Sequence, residues 1–68
     1  MKPLSGREFC RVLERHGWKL LRIQGSHHIY GKAGSTVKLS VPVHGNTPLK
    51  KGLQVYLLKA AGITEQDI

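Results

Sequence analysis

The sequence predicts a small α+β domain with a helix at each end and a three-stranded antiparallel meander between them, both helices lying on one face of the sheet. Three observations predict it. A capped helical stripe runs from Ser5 to Gly17, and a second ends at Gly62. Between them, two Gly-containing turn signals separate β-rich runs, the last of which alternates strictly between apolar and polar residues.

Ser5-Gly6-Arg7-Glu8 has the S-x-x-E form of a capping box, so a helix starts there. Phe9, Val12, Leu13 and His16 recur at helical spacing as one inward stripe. Gly17 is placed for a left-handed C-terminal cap. Trp18 to Gln24 reads as the first strand, Gly25-Ser26 as a tight turn, and His27 to Lys32 as the second strand. Ala33-Gly34 turns the chain again before a third strand over Thr36 to Val43. There Val37, Leu39, Val41 and Val43 alternate with Lys38 and Ser40, which buries one face only, and the helices must cover it. His44-Gly45-Asn46-Thr47-Pro48 is a loop. A helix from about Lys51 to Ala61 follows, carrying Leu53, Tyr56, Leu57, Ala60 and Ala61 as its packing stripe. Residues 1–68 form one domain, with no repeat or linker.

Eleven Lys and Arg against four Asp and Glu give a net charge of +7, which selects polyanions or acidic proteins as partners. No apolar run spans a bilayer, and no secretory leader is visible. The one cysteine, Cys10, forms no internal disulfide and reads as a small half-buried helix residue. These features suit a cytoplasmic protein.

The run Gly25-Ser26-His27-His28-Ile29-Tyr30 puts two imidazoles at a turn-to-strand junction, and histidine both accepts and donates protons near neutral pH. With two-residue turns at Gly25-Ser26 and Ala33-Gly34, His28 lies opposite Ile23 and Leu39. The helix-side face then collects Leu21, Ile23, His28, Tyr30, Val37, Leu39 and Val41. The open face collects Arg22, Gln24, His27, Ile29, Lys38 and Ser40. Exposure favours His27 as the reactive group, and a place at the rim of the core favours His28. In this register His44 lies five residues along the strand from the point opposite His28, roughly 16 Å, too far for a paired acid and base.

Adjacent His27 and His28 point to opposite faces, and no pair of close ligand motifs exists, so no metal site is expected. Arg7, Arg11 and Arg15 form an i, i+4, i+8 row that reads as a solvated face or as a ridge along a phosphate backbone. Lys50 and Lys51 stand beside the N-terminus of the second helix, where the dipole is already positive, and suggest anion contact. Trp18 reads as closing the core. Tyr56 reads as packing, and Tyr30 as core or as a base-stacking platform.

Gly25-Ser26-x-His28 after a strand, then Val41-Pro42-Val43-His44-Gly45-Asn46, a basic loop and the Leu53-to-Gly62 helix together resemble the HicA toxins, also called YcfA-like proteins, over nearly the whole chain. The resemblance implies an α-β-β-β-α fold similar to double-stranded-RNA-binding domains. It also implies a ribosome-independent mRNA endoribonuclease of a type II toxin–antitoxin pair, neutralised by a HicB antitoxin. The family's active histidine falls on His28, and Gly25 and Ser26 carry over as the turn that presents it. The RNA contacts expected from charge and placement are Arg22, Gly25, Ser26, His27, Lys50 and Lys51, and no metal or small-molecule cofactor is expected. Lys51 departs from the proline found before the helix glycine in many members. The rival reading is a binding module without catalysis, either for RNA or for an acidic protein.

Overall fold

Ser5 opens the first helix, α1 (Gly6–Arg15), through a reciprocal box: its hydroxyl accepts from the Glu8 N–H at 3.1 Å, and the Glu8 carboxylate accepts from the Ser5 N–H at 2.9 Å. In the computed structural model, which describes residues 2–68, the chain continues through β1 (Lys19–Gln24), β2 (His27–Gly31), β3 (Leu39–Pro42) and α2 (Lys51–Ala61). It ends in a 3-10 turn over Glu65–Asp67. The strands form one antiparallel sheet in the order β1-β2-β3, and the fold is the α+β arrangement that the sequence predicts. Both helices end alike. At α1, the N–H groups of Gly17 and Trp18 bond back to the carbonyls of Glu14 and Leu13. At α2, those of Gly62 and Ile63 bond to Lys59 and Leu58. Gly17 and Gly62 take the positive φ this motif needs, and the apolar residue after each one turns into the core.

Phe9, Val12, Leu13 and Trp18 meet Tyr30, Leu39 and Val41 of the sheet and Leu57, Leu58 and Ala61 of α2 in one cluster. Trp18 thus closes the core, as expected, with Lys32 Nζ 5.8 Å from its ring centroid. The α2 stripe differs from expectation. Gln54, Leu57, Leu58 and Ala61 face inward, and Tyr56 is 64% exposed rather than packed. Gln54 is buried because it is satisfied. Its Oε1 accepts from the Leu4 N–H at 2.9 Å, and its Nε2 donates to the Lys2 carbonyl at 2.7 Å, tying the N-terminal segment to α2.

Two register corrections matter for the site. Gly25-Ser26 is the expected two-residue turn, with Gly25 at φ +59°. Ala33-Gly34 also turns, but only Gly34 has positive φ (+80°), the pattern of a type II turn, whose twist splays the strands instead of pairing them. Pairing therefore resumes only at Leu39. Val37 lies in the loop, and β3 is shorter than expected. His28 faces Val41 rather than Leu39, a shift of two that keeps it on the helix side. In β1 a bulge between Leu20 and Arg22 sets Leu20, not Leu21, opposite Tyr30. Leu21 instead leans over Gly31, where a Cβ would meet its Cδ1 at 2.8 Å.

Gly6 begins α1 directly under the end of β3, where a Cβ would overlap the Pro42 carbonyl oxygen, which is backbone and cannot yield cheaply. Gly6→Ala is expected to destabilise the fold by about 1–3 kcal/mol, read as a lower urea midpoint at unchanged m-value. Gln54→Met, which leaves the Leu4 N–H buried without an acceptor, is expected to cost about 1–3 kcal/mol in the same measurement.

Candidate active site

His28 is the second residue of β2, half-buried, on the face that the helices cover. Alternation along β2 puts Tyr30 on the same face and His27 and Ile29 on the other. Beside His28, α1 and the overhanging β1 leave an open groove of about 410 Å³, lined by Arg7, Cys10, Arg11, Glu14, Leu20, His28, Tyr30 and Val43. Val43 is held there beyond the end of β3 by its N–H, which donates to the Ser26 carbonyl at 2.7 Å.

The floor of the groove is a short polar chain. The Tyr30 hydroxyl donates to Glu14 Oε2 at 2.7 Å. Cys10 Sγ lies 4.0 Å from His28 Nδ1. Burial pushes the Cys10 thiol up; the Tyr30 hydroxyl pulls it the other way, and the charge of Glu14 adds to the rise. The thiol is therefore protonated at neutral pH. Its contact takes Nδ1, and Nε2 has no partner among the described residues. Burial also drives the Tyr30 phenol far above its usual range, with the bond to Glu14 adding to the effect. Tyr30 is 1% exposed, so it is a core residue and not a stacking platform.

The predicted residues are split by this geometry. His27 stands on the open face, its Nδ1 sharing a hydrogen bond with Ser40 Oγ at 3.1 Å, and Arg22, paired with Ile29, stands on that face too. Lys50 is the N-cap of α2 without a side-chain capping bond. It borders a separate hollow with His44, Pro48 and Leu53, and Lys51 follows it in the exposed first turn. Gly25 and Ser26 shape the turn and do not line the groove. His44 is three residues beyond Val41, the partner of His28, closer than the predicted five, and lines that second hollow instead. His16 donates from Nδ1 to the Val12 carbonyl at 2.9 Å, a structural role. Among the described residues no three His, Cys, Asp or Glu side chains converge as a metal site would need.

The sequence shows the Arg7 and Arg11 row but not that Cys10 and Glu14 join it beside His28. Arg7, Cys10, Arg11 and Glu14 recur at three, one and three residues, which places them on one side of the helix, a spacing that was visible. That this side overhangs His28 follows only from packing.

The chain matches the family model described as HicA toxin of bacterial toxin-antitoxin over residues 6–63. The chain belongs to the HicA toxin family. A search of curated proteins returns no match. HicA membership makes the chain the toxin of a toxin–antitoxin system, with an antitoxin as its partner. The matched region contains both helices, the whole sheet and every residue lining the His28 groove. No helix of the described residues is long and apolar enough to cross a membrane.

Tyr30 supplies a pH test. Its folded pKa is raised above the unfolded value of 10.0, so the stability it contributes is complete below that pH and is lost as pH rises beyond it. Urea midpoints are expected to fall above about pH 10. Tyr30→Phe is expected to lose about 1 kcal/mol at neutral pH and to flatten that alkaline fall.

Proposed function

We propose that this HicA-family toxin is a ribosome-independent mRNA endoribonuclease, with His28 as the catalytic residue, and that a HicB-type antitoxin neutralises it. The observation that carries the reading is the groove itself. His28 lines a cleft shared with Arg7 and Arg11, and its Nε2 has no partner among the described residues. An imidazole so placed meets the requirement for proton transfer at a phosphodiester, and the cations offset the charge that builds on the phosphoryl oxygens.

In the proposed reaction the ring proton of His28 sits on Nδ1, donated toward Cys10 Sγ, and Nε2 takes the proton of a ribose 2′-OH as that oxygen bonds to phosphorus. The P–O5′ bond breaks, and the leaving oxygen takes a proton from water. The products are a 2′,3′-cyclic phosphate and a 5′-OH, and the imidazolium returns its proton to solvent. The step runs on protein groups and water, without a metal ion. Gly25 and Ser26 hold the start of β2, and hence His28, in place. His27, Arg22, Lys50 and Lys51 draw the flanking RNA to the protein at longer range. Cleavage arrests translation in the cytoplasm.

Purified protein is expected to cut mRNA in excess EDTA. His28→Ala should lower the rate by about 10²-fold or more while leaving RNA binding and circular dichroism intact. His27→Ala should cost much less. Intact RNA with retained binding in the unmutated protein would instead establish the non-catalytic module, and loss of activity confined to His27→Ala would move the catalytic role to the open face.

A further inference from the structure

The two walls of the His28 groove differ in chemistry. On the α1 side stand Arg7 and Arg11, both exposed, and neither guanidinium makes a hydrogen bond or ion pair with another described residue. The acids nearby are already engaged. Glu8 is committed to the capping box, with its carboxyl held low chiefly by the Ser5 backbone bond and assisted by the charge of Arg11, and Glu14 accepts from Tyr30. The same two arginines also border the next hollow along α1, with Ser5, Glu8 and Asn46, so the cationic wall continues past the groove. On the β1 side the wall is apolar and uncovered: Leu20 is 44% exposed and lines the groove, and Ile23, directly opposite His28 in the ladder, is 55% exposed.

Resting on the nuclease reading above, we propose that these walls divide the recognition of a single-stranded RNA. Arg7 and Arg11 clamp the phosphates beside the scissile bond, and Leu20 with Ile23 supports an unstacked base next to it. Guanidinium forks match phosphate oxygens in geometry, and two unpaired forks one helical turn apart span neighbouring groups of a backbone. An apolar shelf gains only from a base whose face is free, which a duplex hides and a single strand offers.

Binding of a fluorescent single-stranded RNA to the full chain carrying His28→Ala, read by anisotropy across a salt series, tests this apart from catalysis. Arg7→Gln and Arg11→Gln should each weaken binding about tenfold and reduce the slope of log affinity against log salt by about 0.7 for each phosphate left without its guanidinium. Lys59→Gln, an equal loss of charge in the last turn of α2, should leave affinity within twofold. Leu20→Ser should weaken single-strand binding severalfold at unchanged salt slope and leave duplex binding as it was. Thermal melts verify that each variant is folded. Arginine variants that behave like Lys59→Gln would overturn the clamp, and a Leu20→Ser effect equal on duplex and single strand would overturn the shelf. Variants that lose antitoxin binding with RNA affinity intact would reassign the groove to protein docking. If the clamp pattern holds but the unmutated protein leaves mRNA uncut, the nuclease reading fails and the binding assignment stands.

Discussion

The phenol of Tyr30 sets the spacing between the sheet and the first helix, and the groove depends on that spacing. Its ring fills the core, and its hydroxyl reaches Glu14 on α1, so β2 and the helix are joined by packing and by a short polar bond. One helical turn before Glu14 stands Cys10, a small side chain, and two residues before Tyr30 on the same strand face stands His28. The thiol fills little of the space between helix and strand, and the imidazole lies against it with one nitrogen inward. A bulky residue at position 10 would close the gap that the Tyr30 contact holds open.

The other wall exists because β1 is left uncovered. It is an edge strand, and all six of its residues are exposed, since the buried cluster draws its strand residues, Tyr30, Leu39 and Val41, from β2 and β3. The bulge at Leu20 to Arg22 turns Leu20 toward α1 and sends Leu21 over Gly31 on the far side, so one extra residue exchanges which leucine borders His28. Bulges are frequent beside functional sites because they re-aim a side chain without disturbing the ladder beyond it. Here the ladder resumes at Arg22 and keeps Ile23 opposite His28.

Local chemistry was legible, and its long-range consequences were not. The capping box at Ser5 and Glu8, the turn at Gly25, the start of α2 at Lys51 and the burial of Trp18 all follow from rules acting within a few residues, and the structure contains each of them. The β3 register failed because Ala33-Gly34 forms a turn that is unsuited to a tight hairpin, a distinction of backbone twist that the dipeptide does not display. Gln54 was missed because a buried amide reads as polar until its partners, fifty residues away, are known. The expected side of His28 holds although the register differs, because a shift of two residues preserves the face. The basic residues that stand out in the sequence, Arg22, Lys50 and Lys51, are scattered, whereas Arg7 and Arg11 of the α1 arginine row, on its spacing alone either a solvated face or a phosphate ridge, share the groove of the imidazole.

Charge ties the stability of this fold to its partners. The chain carries +7. Arg7 and Arg11 make no ion pair among the described residues, and α2 begins with two lysines, no acid in its first turn and no side-chain cap, each a mildly unfavourable arrangement for the free protein. A domain of this length buries only about 60% of its unfolded surface, so such costs weigh on a small reserve. An anionic surface that meets the folded state alone relieves them and stabilises the domain by mass action. The antitoxin that HicA membership requires as partner can therefore gain affinity from the same unpaired charges that would hold RNA. Pairing those arginines internally would steady the isolated toxin and weaken both contacts at once.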